Sequence, residues 1–586
     1  MTDPIRIANC SGFFGDRPSG AREMVEGGPI DVLTGDWLAE LTMLILSRIR
    51  AKQPGAGFAR TFVDQMEDVM GTCLDRGIKV VSNAGGLDPD GCADAVAQVA
   101  SKLGLSPTIA YVGGDDLLPR LPELVAAGEL QPFEGHSIDD PSSLVSANAY
   151  LGCWGIVDAL ERGADIVITG RVTDAAVTCG PAAWHHGWKR TDFDELAGAV
   201  VAGHVIECSA QATGGNYSFF EEIDGRNDVG ARFGFPWADV AGDGSSVIGK
   251  HDGTGGAVTV GTVTSQLLYE IDGPEYLGPD VTARFDTIEI DQHAPDRVRI
   301  SGVRGQAPPT TLKVVTNELG GYRNSFSLAL TGLDIEEKAT FAEATFWNAC
   351  PYQPDDFASI KSDVIRTDVP DAPTQEQATA VWRVTVKDPD ERKVGRAFSD
   401  ALIHTALASI PGMYGLGGGP SRATPYGVYR PALVASELVP QLVHVEGTEA
   451  RQISSVAPTG APLNVTDVPS SSRPDGPTKR VPIGSIIGAR SGDKGGNANL
   501  GLFARNDHAW AWLDHTMTTE LLTELLPETQ CLKIDRYRFP LLRSLNFVIH
   551  GLLEEGVAAS TRQDPQAKAL GEWLRSRTTE IPISLL

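Results

Sequence analysis

Segments with helical periodicity alternate with short apolar runs through the first 200 residues of the chain. Apolar side chains that recur every three to four positions predict helices over residues 36–50 and 58–76. Asp-Pro pairs at 88–89 and 140–141 suit helix starts and predict further helices that end near Gly104 and Gly163. Continuously apolar runs predict strands covered on both faces, at residues 5–8, 78–81, 108–112 and 165–169. Alternating β and α units predict an α/β fold with a doubly wound, mostly parallel sheet over residues 1–240.

The pattern changes over residues 241–446, which we expect to form an α+β region. β-branched or alternating stretches predict strands at 258–263, 285–290 and 381–386, and residues 395–409 predict a helix. Residues 1–446 are therefore expected to form the core of the protein, with residues 1–240 as its parallel part.

Residues 447–481 are rich in Ser, Pro, Thr and Gly, which predicts a linker to a distinct C-terminal domain. Within residues 482–586 we predict strands at 483–489, 498–503, 509–513 and 545–552, and helices at 520–526 and 566–577. A domain of this size and composition suits a small ferredoxin-like α/β sandwich. Its 11 Lys and Arg nearly balance its 12 Asp and Glu, unlike the acidic remainder of the chain.

Composition and charge narrow the classes of function. The 586 residues carry a formal net charge of −27, which argues against a nucleic-acid partner and against an anionic membrane surface. The N-terminal residues lack the basic and apolar segments of a signal peptide. The eight cysteines are scattered and form no CxxC pair. We therefore expect a cytoplasmic protein with reduced thiols.

The sequence contains no motif for a familiar cofactor or metal. GxxxxGK[ST], HExxH and GxSxG are absent, and no GxGxxG follows a predicted strand. His185 and His186 are adjacent but lack the spacing of a zinc ligand set. We predict no metal ligands, and the sequence leaves the cofactor unknown.

Four of the predicted strands end in polar, glycine-rich segments, at residues 9–17, 82–86, 113–116 and 170–174. In a parallel sheet these segments lie at one edge, where ligands bind beyond the carboxyl ends of the strands. Glycine lets the backbone approach a ligand closely, arginine can hold a carboxylate or phosphate, and carboxylates can move protons. The alternative interpretation is that each segment is only a turn with a helix cap.

These segments supply most of the predicted site. Asp174 and Asp116 are predicted catalytic residues, and the predicted substrate-binding residues are Ser11, Arg17, Asn83, Gly85, Gly86 and Arg171. The arginines would hold an anion, while backbone amides of the two glycines would polarise an oxygen. Burial of such loops is not expected, so Arg171→Ala and Asp174→Asn should abolish function and leave the fold intact.

A second group of reactive side chains lies close together at His204, Glu207 and Cys208. If this segment is a strand, His204 and Cys208 share one face and Glu207 points to the other. A Cys–His pair could supply a nucleophile, but a buried structural cysteine is the favoured interpretation. His204 and Glu207 are therefore predicted acid–base residues.

A third group lies in the glycine-rich string 489–499 of the C-terminal domain. Ser491, Lys494 and Asn497 are predicted substrate-binding residues, because a lysine among glycines suits an anion. The alternative is a tight loop whose polar side chains satisfy its own backbone. If the string binds a ligand, it should face the strand-exit crevice of the same chain or of a neighbouring subunit.

Several long strings resemble the acyclic terpene utilisation protein A (AtuA-like) family. They are SGFFGDR at 11–17, GPIDVLTGD at 28–36, VVSNAGG at 80–86, TGRVTD at 169–174 and ARSGDKGGN at 489–497. The resemblance covers essentially the whole chain, including a small ferredoxin-like domain that the family carries at its C-terminus. The family name comes from the bacterial catabolism of citronellol- and geraniol-type terpenes, which proceeds through branched acyl-CoA esters. The resemblance implies a cytoplasmic catabolic role, and nothing in these residues specifies a terpene. It supplies neither a reaction nor catalytic residues.

Two functions stay open on these grounds. The first is an enzyme, active as a homo-oligomer, whose small-molecule substrate is a branched or small carboxylic acid or its CoA thioester. The second is a non-catalytic scaffold or accessory subunit for enzymes that process acyl-CoA, which would explain the missing catalytic motifs. A nucleotide-dependent ligase or kinase is disfavoured because the chain has no P-loop.

Overall fold

The computed structural model describes residues 3–133, 138, 140–224, 232–417, 419–470, 472 and 474–586. The chain divides into two compact units. The first unit comprises Met1–Asn317, Tyr429–Val557 and Asp564–Leu586, and the second comprises Glu318–Val428 and Ala558–Gln563. All of the predicted site residues belong to the first unit. Within the described ranges, no helix has the length and apolar character needed to cross a membrane.

Residues up to 240 alternate between strands and helices. The strands are β1 Ile5–Asn9, β2 Val32–Gly35, β3 Lys79–Ser82, β4 Ile109–Gly113, β5 Leu130–Pro132, β6 Leu144–Ala149, β7 Ile166–Thr169 and β8 Pro236–Val240. The helices are α1 Gly20–Gly27, α2 Glu40–Lys52, α3 Arg60–Arg76, α4 Pro89–Leu103, α5 Leu121–Ala126, α6 Trp154–Glu161, α7 Ala176–His186, α8 Phe193–Ile206 and α9 Glu221–Asp224.

Residues 241–453 contain more strand than helix. The strands are β9 Ser246–Lys250, β10 Glu275–Leu277, β11 Thr282–Arg284, β12 Glu289–Ala294, β13 Arg297–Ser301, β14 Arg304–Gln306, β15 Thr311–Thr331, β16 Ser359–Ile365, β17 Thr379–Asp388, β18 Met413–Gly415, β19 Thr424–Tyr429, β20 Ala432–Ala435, β21 Gln441–Val445 and β22 Arg451–Ile453. The helices are α10 Val260–Leu267, α11 Ile335–Ala349, α12 Glu391–Val394 and α13 Arg396–His404.

The C-terminal region repeats the mixture on a smaller scale. Its strands are β23 Thr478–Pro482, β24 Ile487–Lys494, β25 Asn497–Ala504, β26 Ile534–Phe539, β27 Ser544–Ile549 and β28 Thr578–Pro582. Its helices are α14 Asp507–Thr516, α15 Thr519–Leu525 and α16 Leu570–Ser576. β24, β25, β27 and β26 form an antiparallel sheet in that order, and α14 and α16 pack on it.

The large sheet of the first unit has a parallel centre and antiparallel flanks. β1, β2, β3, β7 and β4 are neighbours in that order and run parallel. β8 pairs antiparallel with β1, and β21 pairs antiparallel with β4. Apolar side chains cover both faces of the parallel centre, as expected when crossover helices lie on either side. This topology confirms the predicted α/β class with a mostly parallel N-terminal sheet.

Local signals correctly place several helix ends in this sheet. The α3 helix ends at Gly77, which adopts φ +70°, a conformation that glycine accepts without a Cβ clash. The Asp88 side chain accepts a hydrogen bond from the Gly91 N–H and caps α4, as predicted. After each helix the chain re-enters the sheet at the edge where the strands begin, so that every parallel strand ends at the opposite, carboxyl edge.

One predicted helix is wrong because long-range pairing outweighs a local start signal. Residues 140–163 do not form a single helix. The Asp140 side chain caps one turn of 3-10 helix, β6 follows, and α6 is the remaining helical part. The Tyr150 N–H donates to the Lys313 carbonyl (2.9 Å), so the segment between these helical turns is held by a strand distant in sequence.

Two predicted strands are also wrong, and capping side chains explain both. Residues 260–263 begin α10, because Thr259 and Thr262 form a reciprocal capping box that outweighs their β-branched neighbours. Residues 509–513 lie within α14, whose first turn is capped by the Asn506 side chain. The predicted strands at 285–290 and 483–489 begin later than expected, after 3-10 turns at 285–287 and 483–485.

In the second unit, residues 322–331 of β15 pair antiparallel with β17, which pairs in turn with β16. Aromatic side chains from β15, β17, α11 and α13 form its core. Phe326 lies 4.8 Å from Phe346 and 5.3 Å from Trp382, measured between ring centroids. None of the predicted site residues belongs to this core.

Candidate active site

Polar segments meet at the carboxyl edge of the parallel sheet. The Asp36 N–H, directly after β2, donates to the Ser11 carbonyl after β1 (3.0 Å). The Arg171 N–H, after β7, donates to Asp115 Oδ2 after β4 (2.9 Å). The strand exits therefore lie side by side, as the parallel topology requires.

Asp36 is a buried carboxyl at the end of β2. It is 5% exposed, and its Oδ1 accepts hydrogen bonds from the Asn83 side-chain amide (2.5 Å) and the Leu38 N–H (3.1 Å). Burial, with the nearby charge of Asp174, raises the pKa of Asp36 to about 8. Asp36 is therefore largely protonated at neutral pH, and Asn83 fixes its orientation.

Arg171 and Asp174 form an ion pair in the loop after β7. Arg171 Nη2 donates to Asp174 Oδ1 (2.7 Å), and Nη1 donates to the Leu38 carbonyl (3.1 Å). The Arg171 side chain is 2% exposed and its guanidinium lies 4.2 Å from the Tyr150 ring centroid, whereas 29% of the Asp174 side chain is exposed. The expectation that this loop is unburied is thus wrong for Arg171, because the guanidinium packs on an aromatic ring. Asp174 is the accessible member of the pair.

Asp115 and Asp116 have different roles. Asp115 is 3% exposed and accepts from the Arg171 N–H and from the Asn148 side-chain amide (2.8 Å), and burial raises its pKa to about 7. Asp116, the predicted catalytic residue, accepts from the Leu118 N–H (3.0 Å) in a turn. Asp115 therefore positions the Arg171 loop, while Asp116 caps the following segment.

The His204 and Glu207 side chains form a buried pair at the end of α8. This segment is a helix, so the predicted placement of the two side chains on opposite faces of a strand is wrong. His204 Nδ1 lies 3.5 Å from Glu207 Oε1, and the side chains are 1% and 6% exposed. A Cβ on Gly203 would lie 2.9 Å from the Cα of Ala175, so α8 packs directly against the residue after Asp174.

Burial keeps both members of this pair uncharged. It lowers the pKa of His204 to about 4, helped by the positive charge of Lys494. Burial also raises the pKa of Glu207 well above its ordinary value, and the negative charge of Asp174 adds to the effect. Burial therefore favours the neutral imidazole of His204 and the protonated carboxyl of Glu207 over their charged forms.

The same pair has unused hydrogen-bonding atoms. Three buried atoms make no hydrogen bond to another described residue. They are the two ring nitrogens of His204 and Oε2 of Glu207. The backbone of Gln266 and Leu267 lies near the imidazole without reaching full hydrogen-bond geometry. Arg171 Nε is likewise buried without a partner in the described ranges. Buried polar atoms are normally satisfied, so their lack of partners singles out these side chains as candidate functional groups.

The Cys208 thiol follows this pair but is unsuited to nucleophilic attack. Burial raises its pKa well above the ordinary value, and the nearby carboxylate of Glu270 raises it further. A thiol in such surroundings stays protonated, whereas the thiolate is the nucleophile. This environment favours the structural interpretation of the cysteine.

Two protein-family models match the chain, and together they cover most of it. The model for the acyclic terpene utilisation family protein AtuA matches residues 5–445, which is most of the chain. The chain belongs to the AtuA family. A second model, for the AtuA ferredoxin-like domain, matches residues 481–580 and confirms the predicted C-terminal fold. The comparison with curated proteins gives no match. AtuA family membership supports a role in acyclic terpene utilisation.

Some predicted binding residues of this AtuA family member have structural partners. Arg17 donates from Nε and Nη2 to Glu23 (3.0 and 2.6 Å), so its charge is compensated there. The Gly86 N–H donates to the Asn83 carbonyl (3.2 Å) within a turn, at φ +54°. A Cβ on Gly85 would lie 2.6 Å from the Thr169 carbonyl oxygen, so this glycine permits close packing of neighbouring strand exits.

The Ser491–Asn497 string of this AtuA protein forms the end of a hairpin. β24 continues through Lys494 and β25 begins at Asn497, so Gly495 and Gly496 alone form the turn. Lys494 Nζ donates to the Glu270 carbonyl (2.9 Å), and Asn497 Oδ1 accepts from the Gly551 N–H (3.0 Å). Ser491 Oγ accepts from the Gly571 N–H (2.9 Å). The hairpin therefore packs on the 269–272 segment of the same unit, with Lys494 already engaged.

Sequence reasoning missed a charged group that adjoins the Arg171 loop in this AtuA protein. The Tyr150 hydroxyl donates to Glu40 Oε1 (3.0 Å), and Lys313 Nζ lies 3.8 Å from the same oxygen. Lys313 and Arg171 lower the pKa of Glu40, although burial opposes them. Asp36, also missed, lies in the quoted string 28–36, whereas nothing in the sequence links Lys313 to this edge. In the described part of the chain, no group of His, Cys, Asp and Glu side chains is arranged to hold a metal ion.

Proposed function

We propose that the chain is a cytoplasmic enzyme, active as a homo-oligomer, that moves a proton on a branched or small carboxylic acid or its CoA thioester. The observation that carries this proposal is the buried, neutral His204–Glu207 pair with unused hydrogen-bonding atoms beside the Arg171–Asp174 ion pair. Neighbouring titratable groups with opposite pKa shifts are typical of acid–base sites. A role in acyclic terpene utilisation would supply branched substrates.

Asp174 is the proposed base. It is more exposed than its partner, and Arg171 stabilises its charge against the burial that raises its pKa. In the proposed step, Asp174 takes the proton from the carbon next to the substrate carbonyl. The electrons of that C–H bond form an enolate, and return of the proton to carbon completes the exchange.

Glu207 is the proposed donor to the enolate oxygen. A protonated carboxyl can donate a strong hydrogen bond to an oxygen that gains negative charge. The neutral His204 imidazole, 3.5 Å away, can hold Glu207 in the protonated state or donate beside it. Asp36 is largely protonated at neutral pH and so adds little negative charge against the enolate.

A ligand screen by thermal unfolding tests the substrate class. Branched acyl-CoA esters, their free acids and unbranched controls are added to the full chain, and the melting temperature is recorded. A ligand at a hundred times its Kd adds about 2.7 kcal/mol to the free energy of unfolding. We expect branched acids or their CoA esters to raise the melting temperature. The size of that rise should differ in the Asp174→Asn variant.

The matched control is Asp252→Asn, since the Asp252 side chain is 96% exposed. It should respond to ligands as the wild type does. Stoichiometric co-purification with an acyl-CoA-processing enzyme, together with no response to any ligand, would instead support the scaffold function.

A further inference from the structure

A cavity lies where β24 and α16 of the C-terminal domain meet the segment that follows α8. Its volume is about 210 Å³, and its polar lining comprises Asn216, Ser218, Arg490, Ser491, Lys568 and Glu572. Pockets for whole drug-sized ligands usually exceed about 300 Å³. This cavity, called the seam pocket below, therefore suits one small group of a ligand.

The seam pocket contains a buried arginine that makes no ion pair with another described residue. Arg490 is 3% exposed, and its guanidinium lies 3.9 Å from the Tyr269 ring centroid and donates to Gln211. In the described ranges, its Nε has no hydrogen-bond partner and it makes no ion pair. A guanidinium held in this way has donors left for an anion.

Lys568 adds a second positive charge. Its Nζ lies 5.9 Å from the same Tyr269 ring, and it makes no ion pair with another described residue. The carboxylate in the wall, Glu572, is neutralised by Arg575 Nη1, which donates to both of its oxygens (2.6 and 2.8 Å). Two carboxyls interact with Lys568, those of Asp493 and Glu270, and burial raises the pKa of both, that of Asp493 to about 8.

We propose that the seam pocket binds the phosphate group of a phosphorylated ligand. Arg490 and Lys568 supply two positive charges, which match a phosphate monoester carrying about −1.5 to −2 at pH 7 better than a carboxylate. Ser491 Oγ accepts from the Gly571 N–H, which leaves its hydroxyl proton free to donate. The proposal rests on the proposed function only in naming CoA as the source of the phosphate.

Calorimetric titration of the full chain tests this assignment with inorganic phosphate, CoA and pantetheine, which lacks phosphate. The wild type should bind phosphate and CoA, and should bind pantetheine more weakly. Loss of a charge-assisted hydrogen bond should make Lys568→Gln weaken CoA binding by about tenfold or more. Lys479→Gln, at an exposed position of β23 in the same region, should bind CoA as the wild type does.

Arg490→Gln provides the second variant, with circular dichroism to establish that it folds. Competition between phosphate and CoA would identify CoA as the source, while phosphate binding without competition would point to another phosphorylated ligand. Wild-type affinity for phosphate in both variants, or no phosphate or CoA binding by the wild type, would overturn the assignment. Binding is measured without turnover, so a chain that binds phosphate through Lys568 but moves no proton would refute only the proposed function.

Discussion

The Arg171–Asp174 and His204–Glu207 pairs have the same spacing of three residues but opposite electrostatic characters. The first follows a strand and forms a charged pair at 2.7 Å. The second ends a helix and is separated by 3.5 Å, and burial shifts both of its pKa values toward the uncharged forms. Spacing therefore brings side chains together, whereas the surroundings decide whether they hold a charge or exchange a proton.

The largest expected difference between the pairs concerns stability. Arg171→Ala removes a buried guanidinium that pairs with Asp174 and packs on Tyr150, which should lower the free energy of unfolding by about 3–5 kcal/mol. Urea unfolding measures the change. Arg22→Ala is the control, because Arg22 is 54% exposed in its pair with Asp68 and its loss should change the stability far less. Equal losses for the two variants would mean that burial of Arg171 has no energetic importance.

A smaller effect should distinguish the neutral pair by its pH dependence. The folded-state pKa of His204 is about 4, below the ordinary value near 6.5. The unfolded chain therefore gains a proton first as the pH falls, so stability present above pH 6.5 is lost toward pH 4. The loss from this group is roughly 2–3 kcal/mol. His204→Gln should remove it, and urea unfolding at several pH values measures the slope.

The exposed His293 supplies the control for that slope, through the variant His293→Gln. Its pH dependence should match that of the wild type. A His204→Gln variant with an unchanged slope would show that the imidazole is not held neutral by burial.

Sequence alone predicts the parallel sheet and its polar edge, but not how the two pairs differ. The strand exits around Ser11, Asn83 and Arg171 follow from local patterns, because βα units must return to the same edge. The sequence does not predict the His204–Glu207 pairing, because the two side chains would lie on opposite faces of a strand, whereas the segment is helical. Lys313 could not be linked to the site, because its contact with Glu40 depends on chain pairing distant in sequence.

The smallest expected effect concerns Cys208. Its raised pKa should keep it unreactive, so iodoacetamide at pH 8 should label native protein at the exposed Cys531 and spare Cys208. Peptide mass spectrometry measures the sites, and Cys531→Ser removes the expected product. Rapid labelling of Cys208 in the native protein would reopen nucleophilic catalysis beside the neutral pair.

Deuterium exchange into isovaleryl-CoA tests most directly whether the two pairs cooperate in proton transfer. The wild type in D₂O should introduce deuterium next to the thioester carbonyl, as followed by mass spectrometry. Asp174→Asn and Glu207→Gln should each slow exchange by about 10²–10⁴-fold, as expected for loss of a general acid or base. Asp252→Asn should exchange at the wild-type rate. Absence of exchange by the wild type, or wild-type rates in both site variants, would contradict the account.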